Sequence, residues 1–156
     1  MLENVEQAYR RFCQTRFSPA SEEQIADLER KIGVRLPDEY RRYLLSYNGG
    51  SFNAPVMGAR DKQCPENCLH VMFGMGEQPN ACNLANPVYL NLFDDNYPAI
   101  ILPIGYTPTG NLLVLRTEPD DELGWILLKI QDSDDYFVVA ESINDFFGCL
   151  KENPYD

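Results

Sequence analysis

The run from Ile25 to Gly50, IADLERKIGVRLPDEYRRYLLSYNGG, constrains the fold more than any other part of the chain. Ser21 stands just ahead of it and Gln24 lies one turn on, a pair whose side chains can satisfy each other's free amides at a helix start. Glu22 and Glu23 suit the positive end of that helix. Ile25, Leu28 and Ile32 supply its buried stripe, and Gly33 can take the left-handed conformation that stops it. Pro37 opens the next helix, where a missing amide does no harm. Leu36, Tyr40, Tyr43, Leu44 and Tyr47 line one face of that helix, with Arg41 and Arg42 outside the stripe. Asn48-Gly49-Gly50 closes it, because both residue types tolerate positive φ. Packed beside Leu36 and Leu44, the three tyrosines read as core with hydroxyls at the rim rather than as a recognition surface.

Around this pair the pattern predicts a first helix over Val5 to Phe17, ended by Ser18-Pro19, with Val5, Ala8, Tyr9 and Phe12 on one face. Residues 51–68, rich in Pro, Gly, Asn and Cys, read as a long loop. Leu69–Met75 alternates as a half-buried strand, and Ala81–Phe93 reads as a short helix near Pro87. Four strands follow, at Ala99–Ile104, Leu112–Arg116, Gly124–Lys129 and Tyr136–Ala140, joined by turns short enough for antiparallel hairpins. Ser142 caps a last helix carrying Ile143, Phe146, Phe147 and Leu150, and the tail beyond is expected to fray. The order gives an α+β fold: a single, mainly antiparallel sheet with N-terminal helices and a C-terminal helix packed on one face. With 156 residues and no internal repeat, residues 1–156 are expected to form one domain.

The chain has 13 basic and 24 acidic side chains, a net charge of −11. Residues 1–50 hold eight of each sign, so residues 51–156, with five basic and sixteen acidic, carry the whole excess. That balance repels nucleic acid and anionic membrane and suits a basic protein partner. No segment approaches the length of a membrane span. MLENVEQAYRRF lacks the basic start, apolar stretch and cleavage site of a signal peptide. A cytoplasmic location is expected, with Cys13, Cys64, Cys68, Cys82 and Cys149 as reduced thiols. Their odd number argues against a closed disulfide framework.

A meander puts alternate turns at opposite ends of its sheet. The turn at 117–123 is expected at one end, joined by Asp94 and Asp95 before the first of the four strands and by Glu141 after the last. Asp94, Asp95, Glu118, Asp120, Asp121, Glu122 and Glu141 are therefore the expected partner-binding set, and Asp132, Asp134 and Asp135 form a smaller pole at the opposite end. Acidic turns are commonly no more than solvated loops. The sharper reading is that the larger pole steers a basic protein onto the domain.

Chemistry finds little support. Cys64, Cys68, His70 and Cys82 are four soft ligands, but His70 falls in a strand and the pairs are unevenly split, so they read as loop and core thiols with an ordinary histidine. No metal and no cofactor is expected. His70 is the only histidine, and nothing near it resembles a nucleophile turn or an oxyanion donor. Phe73-Gly74-Met75-Gly76 lacks the third glycine and the lysine of a phosphate loop. Asp132-Ser-Asp134-Asp135 lacks the glycine and distal glutamate of a calcium loop.

Ile25, Leu28, Glu29, Gly33, Leu36-Pro37, Tyr40, Leu44 and Asn48-Gly49-Gly50 together resemble the signature of the SMI1/KNR4, or SUKH, superfamily. Phe73-Gly74, Leu102-Pro103-Ile104, Gly110-Asn111 and the Ser142–Leu150 helix resemble its later landmarks. The Cys-rich stretch at 64–82 departs from the common pattern, as does Thr109 where a second glycine often precedes Gly-Asn. The resemblance covers about residues 20–150 and implies a single-sheet α+β domain without established catalytic residues. It implies a protein that binds others, most often an immunity protein neutralising a toxin, often a nuclease. Fungal relatives imply an alternative, a regulatory scaffold for cell-wall synthesis and signalling. A hydrolase or small-ligand module would instead need a deep pocket lined by His70 and carboxylates.

Overall fold

In the computed structural model, which describes residues 2–76, 82–90 and 101–154, the first helix α1 (Glu3–Phe12) ends well before Ser18-Pro19. Its buried face is Val5, Ala8, Tyr9 and Phe12. The positions that would extend this stripe are polar, and the chain turns extended at Cys13 instead. Cys13–Arg16 forms strand β1, antiparallel to β2 (Gly50–Phe52). The helix pair follows as its sequence requires. In α2 (Glu22–Ile32) the Ser21–Gln24 capping box is formed and Gly33 stops the helix at φ 75°. In α3 (Asp38–Ser46) Tyr40, Tyr43 and Leu44 are buried.

The long loop expected at 51–68 contains the end of β2 and two short strands, β3 (Val56–Met57) and β4 (Asn67–Cys68). The tail does not fray directly after Leu150: β10 (Leu150–Lys151) pairs with β3, making a small sheet in the order β10-β3-β4. The main sheet takes β5 (Val71–Met72), β6 (Ile101–Tyr106), β7 (Leu112–Arg116), β8 (Ile126–Lys129) and β9 (Tyr136–Ala140). Its order is β1-β2-β5-β6-β7-β8-β9, and each of its strand pairings is antiparallel. The α+β architecture is thus as the sequence implies. A short α4 (Pro87–Leu90) begins at the proline, with Val88 exposed, and α5 (Ile143–Gly148) is capped by Ser142.

Two corrections concern burial. Leu69–Met75 is not half-buried: Leu69, Val71, Met72, Phe73 and Met75 are all buried in the main core, so β5 is covered at alternate positions on both faces. The sheet is also buried on more than one face. Leu102, Ile104, Leu113, Leu115, Ile126 and Leu128 join the helices in the main core. Their alternates Ile101, Val114 and Leu127 form a second buried cluster with Leu112, Tyr136 and Val138. Runs such as LLVL and WILL, apolar at successive positions, are what a strand covered on both sides requires.

The Asn48-Gly49-Gly50 stop is also the joint between helices and sheet. Asn48 is fully buried at φ 55°. Its Nδ2 donates to the carbonyls of Ser18 (2.7 Å) and Met75 (2.9 Å), and its Oδ1 accepts from the Met75 amide at 2.9 Å. The hydroxyls of Tyr40 and Tyr43 are internal rather than at a rim. Tyr9 and Tyr43 share a 2.7 Å hydrogen bond, and Tyr9 donates to the Gly49 carbonyl at 3.0 Å. Tyr47 lies at the edge, under the Arg16 guanidinium. Tyr40 stacks on Tyr43, and its buried hydroxyl has no hydrogen-bond partner among the described residues. Removing an unsatisfied group without changing shape is close to neutral or favourable. Tyr40→Phe is therefore expected to leave stability unchanged or raise it by about 1 kcal/mol in urea unfolding.

Candidate functional site

The β7–β8 turn is built around one buried cation. Arg116 ends the apolar strand β7 with its side chain only 8% exposed. Its Nη2 lies 2.5 Å from Asp120 and 3.8 Å from Glu118, and its Nε lies 3.8 Å from Glu122. The Asp120 carboxylate also accepts from the Glu122 amide at 2.9 Å, so it holds both the turn and the guanidinium. The turn closes where the Gly124 amide donates to the Arg116 carbonyl and the Arg116 amide donates to Trp125, each at 2.9 Å. Asp121 is exposed at the tip. Four carboxylates against one guanidinium leave the turn strongly negative.

Of the expected partner-binding set, Glu118, Asp120, Asp121 and Glu122 thus stand together, three of them converging on Arg116. Glu141 reaches the same end of the sheet, where Ile126 pairs with Ala140, but it is ion-paired with Arg60. The Arg60 guanidinium lies 5.9 Å from the Trp125 ring. Asp94 and Asp95 lie outside the described residues. The 107–111 and 131–135 turns adjoin at the opposite end, where the Gln131 amide donates to Asn111 Oδ1 at 2.8 Å.

The Asp120 carboxyl is held below the usual carboxylate range, first by the Glu122 amide and then by Arg116. A group whose folded pKa is depressed adds stability above its unfolded value of about 3.9 and loses it as pH falls through the folded value. Asp120→Asn keeps an acceptor for the Glu122 amide but cannot titrate. Its melting temperature is expected to fall less than that of the wild type between about pH 5 and pH 2.

Beside this turn lies an open groove of about 450 Å³. One wall is the α2–α3 link with Val34, Leu36 and Pro37, and the other is the turn with Thr117, Pro119 and Leu123. Both walls are braced. Glu29 accepts from the Leu36 amide and from Arg41, each at 2.7 Å, and Arg41 also reaches Glu22 at 3.0 Å. Leu123 is 40% exposed among the acids. Sequence reasoning placed Leu36-Pro37 in the architecture alone and passed over Leu123 and Arg116. The signals were a leucine inside an acidic turn, and an arginine ending an apolar strand with acids at alternate positions after it.

Cys64, Cys68, His70 and Cys82 do not converge: among the described residues no three His, Cys, Asp or Glu side chains are placed to hold a metal. Burial raises the thiol pKa of Cys13, Cys64 and Cys82, and that of Cys149 to about 11, so these thiols are protonated at neutral pH. Burial likewise raises the pKa of Tyr9, Tyr40 and Tyr43. His70 is exposed beside Tyr106. No helix among the described residues is long and apolar enough to cross a membrane.

Helices locked by Asn48-Gly49-Gly50 onto an antiparallel sheet define the class, an α+β protein. The model of the SMI1 / KNR4 family (SUKH-1) matches residues 19–148, and the chain belongs to that family. It is similar to the SPbeta prophage-derived uncharacterized protein YokK of Bacillus subtilis (strain 168), with 24% identity over 153 residues, 86% of this chain and 76% of that protein. A local similarity to the uncharacterized protein YnaB of the same organism has 48% identity over 31 residues, 20% of this chain and 22% of that protein.

Proposed function

We propose that this is a non-catalytic, cytoplasmic binding protein of the immunity type, which neutralises a toxin by covering its active or substrate-binding surface. The reading rests chiefly on one observation, the exposed carboxylate excess of the β7–β8 turn beside an apolar groove. Glu118, Asp120, Asp121 and Glu122 are the proposed partner-binding residues, with Glu141 and its Arg60 partner at the margin. A basic toxin domain, such as a nuclease, offers the complementary charge. Membership of the SMI1/KNR4 family supports a binding role. Similarity to a prophage-derived protein suits a gene carried on a mobile element. Burial, which raises the thiol pKa of Cys13 and Cys149, weighs against these two as nucleophiles.

The test is growth rescue. Proteins captured from the native cell, together with any toxin encoded beside the gene, are expressed alone and with this protein. Restored growth with a direct, stoichiometric complex is the expected result. Failure to protect against each of them contradicts the reading, and several harmless partners would point instead to a regulatory scaffold.

A further inference from the structure

We propose that the groove between the α2–α3 link and the β7–β8 turn receives one bulky apolar side chain of a basic protein, whose flanking Lys or Arg residues sit on the acidic rim. This rests on the binding reading above and names the contact through which binding occurs.

The groove has the size and character for such an anchor. A volume of about 450 Å³ takes a large aliphatic or aromatic side chain with part of its backbone. Its walls are Val34, Leu36 and Pro37 facing Pro119 and Leu123. The Glu29 and Arg41 brace holds one wall and the Arg116–Asp120 pair holds the other, so little has to be ordered when a partner arrives. Leu123 is 40% exposed, one of two exposed large apolar side chains among the described residues, and it stands at the groove edge rather than in the core.

The rim decides the chemistry of the occupant. Arg35 and Asp38 on the groove lining offset each other at 3.5 Å. Of the four turn carboxylates, which adjoin Thr117, Pro119 and Leu123 in the chain, three meet Arg116 as their one cation among the described residues, and Asp121 is exposed at the tip. The rim is therefore negative around an apolar floor. Nucleic acid is repelled by it. A second copy of the chain would bring the same rim and a net charge of −11, so like charge opposes self-occupancy. A buried apolar anchor with basic neighbours satisfies both features at once, which is the arrangement of a binding hot spot within a polar rim.

The probe is a blocked synthetic peptide with Trp between two Lys pairs in a Gly-Ser frame, titrated into the full chain while methyl chemical shifts are followed. One comparison peptide has Ser for Trp, and another has Glu for every Lys. Leu123→Ser is the protein variant; it lies on an exposed turn, and unchanged melting will show that it folds. Saturable shifts at Val34, Leu36 and Leu123 are expected, with affinity at least about tenfold weaker for either comparison peptide and for the variant. Absence of saturable shifts, shifts centred elsewhere, or equal affinity for the Ser peptide would overturn the proposal. So would movement of the same methyls on dilution of the protein alone, which would assign the groove to a second copy. In the rescue assay, full protection by Leu123→Ser would overturn the groove contact while leaving the immunity reading intact. Protection by neither protein would count against the immunity reading, and the peptide titration would still decide the groove.

Discussion

Gly49→Ala is expected to cost at least about 4 kcal/mol, enough to leave the domain largely unfolded at ambient temperature if its stability is typical. Gly49 sits at φ 84°, and an added Cβ would lie 2.5 Å from the Met72 carbonyl oxygen and 2.7 Å from that of Phe73. Both atoms are backbone of the interior strand segment and cannot rotate away. Relief would require moving the stop away from β5, which the Gly50–Met72 pairing and the Tyr9 hydrogen bond to Gly49 oppose. Gly33→Ala provides the comparison. It shares a positive φ of 75°, but a Cβ there meets nothing within 4 Å. Its expected cost is only the left-handed backbone penalty, about 1–2 kcal/mol. Urea unfolding followed by the single tryptophan, Trp125, measures both. Equal costs for the two variants would contradict the crowding argument.

Asn48→Ala is expected to cost about 3–5 kcal/mol. The substitution removes three hydrogen bonds of 2.7–2.9 Å and leaves the Met75 amide, the Met75 carbonyl and the Ser18 carbonyl without that partner. It also places alanine at φ 55°, which asparagine tolerates better. Gly74 should be almost as intolerant, since a Cβ there would fall on the Asn48 carbonyl oxygen. The two glycine-containing landmarks, Asn48-Gly49-Gly50 and Phe73-Gly74, are therefore halves of one joint. Hydrogen exchange should show Met75 losing protection in Asn48→Ala if the fold survives. Retained protection and stability would contradict the account.

The sequence disclosed what depends on near neighbours. The Ser21–Gln24 capping box, the Gly33 stop and the Ser142 cap are local, and each formed where expected. The meander was legible because its apolar runs and turns alternate at short range. Strand β1 was not, since Cys13–Arg16 has no strand pattern of its own and is extended because β2 is beside it. The depth of Leu69–Met75 was missed for the same reason: the alternation sets His70, Met72 and Gly74 on a solvent face, yet Met72 is fully buried in the main core. At the candidate site, alternate-turn logic brought the 117–123 acids and Glu141 to one end. It could not show that Arg116 draws three of them inward, that Arg60 pairs with Glu141, or that Leu123 faces the α2–α3 link. Those are contacts across the fold, fixed by tertiary packing.

The acidic turn as a steering surface is tested most directly by the association rate. The partner that this protein protects against is mixed with the wild type and with the triple variant Glu118→Gln, Asp121→Asn, Glu122→Gln, at about 20 mM and about 150 mM salt. Asp120 is kept because it holds the turn to Arg116. The account predicts that the variant associates several-fold to about tenfold more slowly at low salt, with the gap narrowing at the higher salt. An association rate unchanged by the three substitutions at low salt would contradict it.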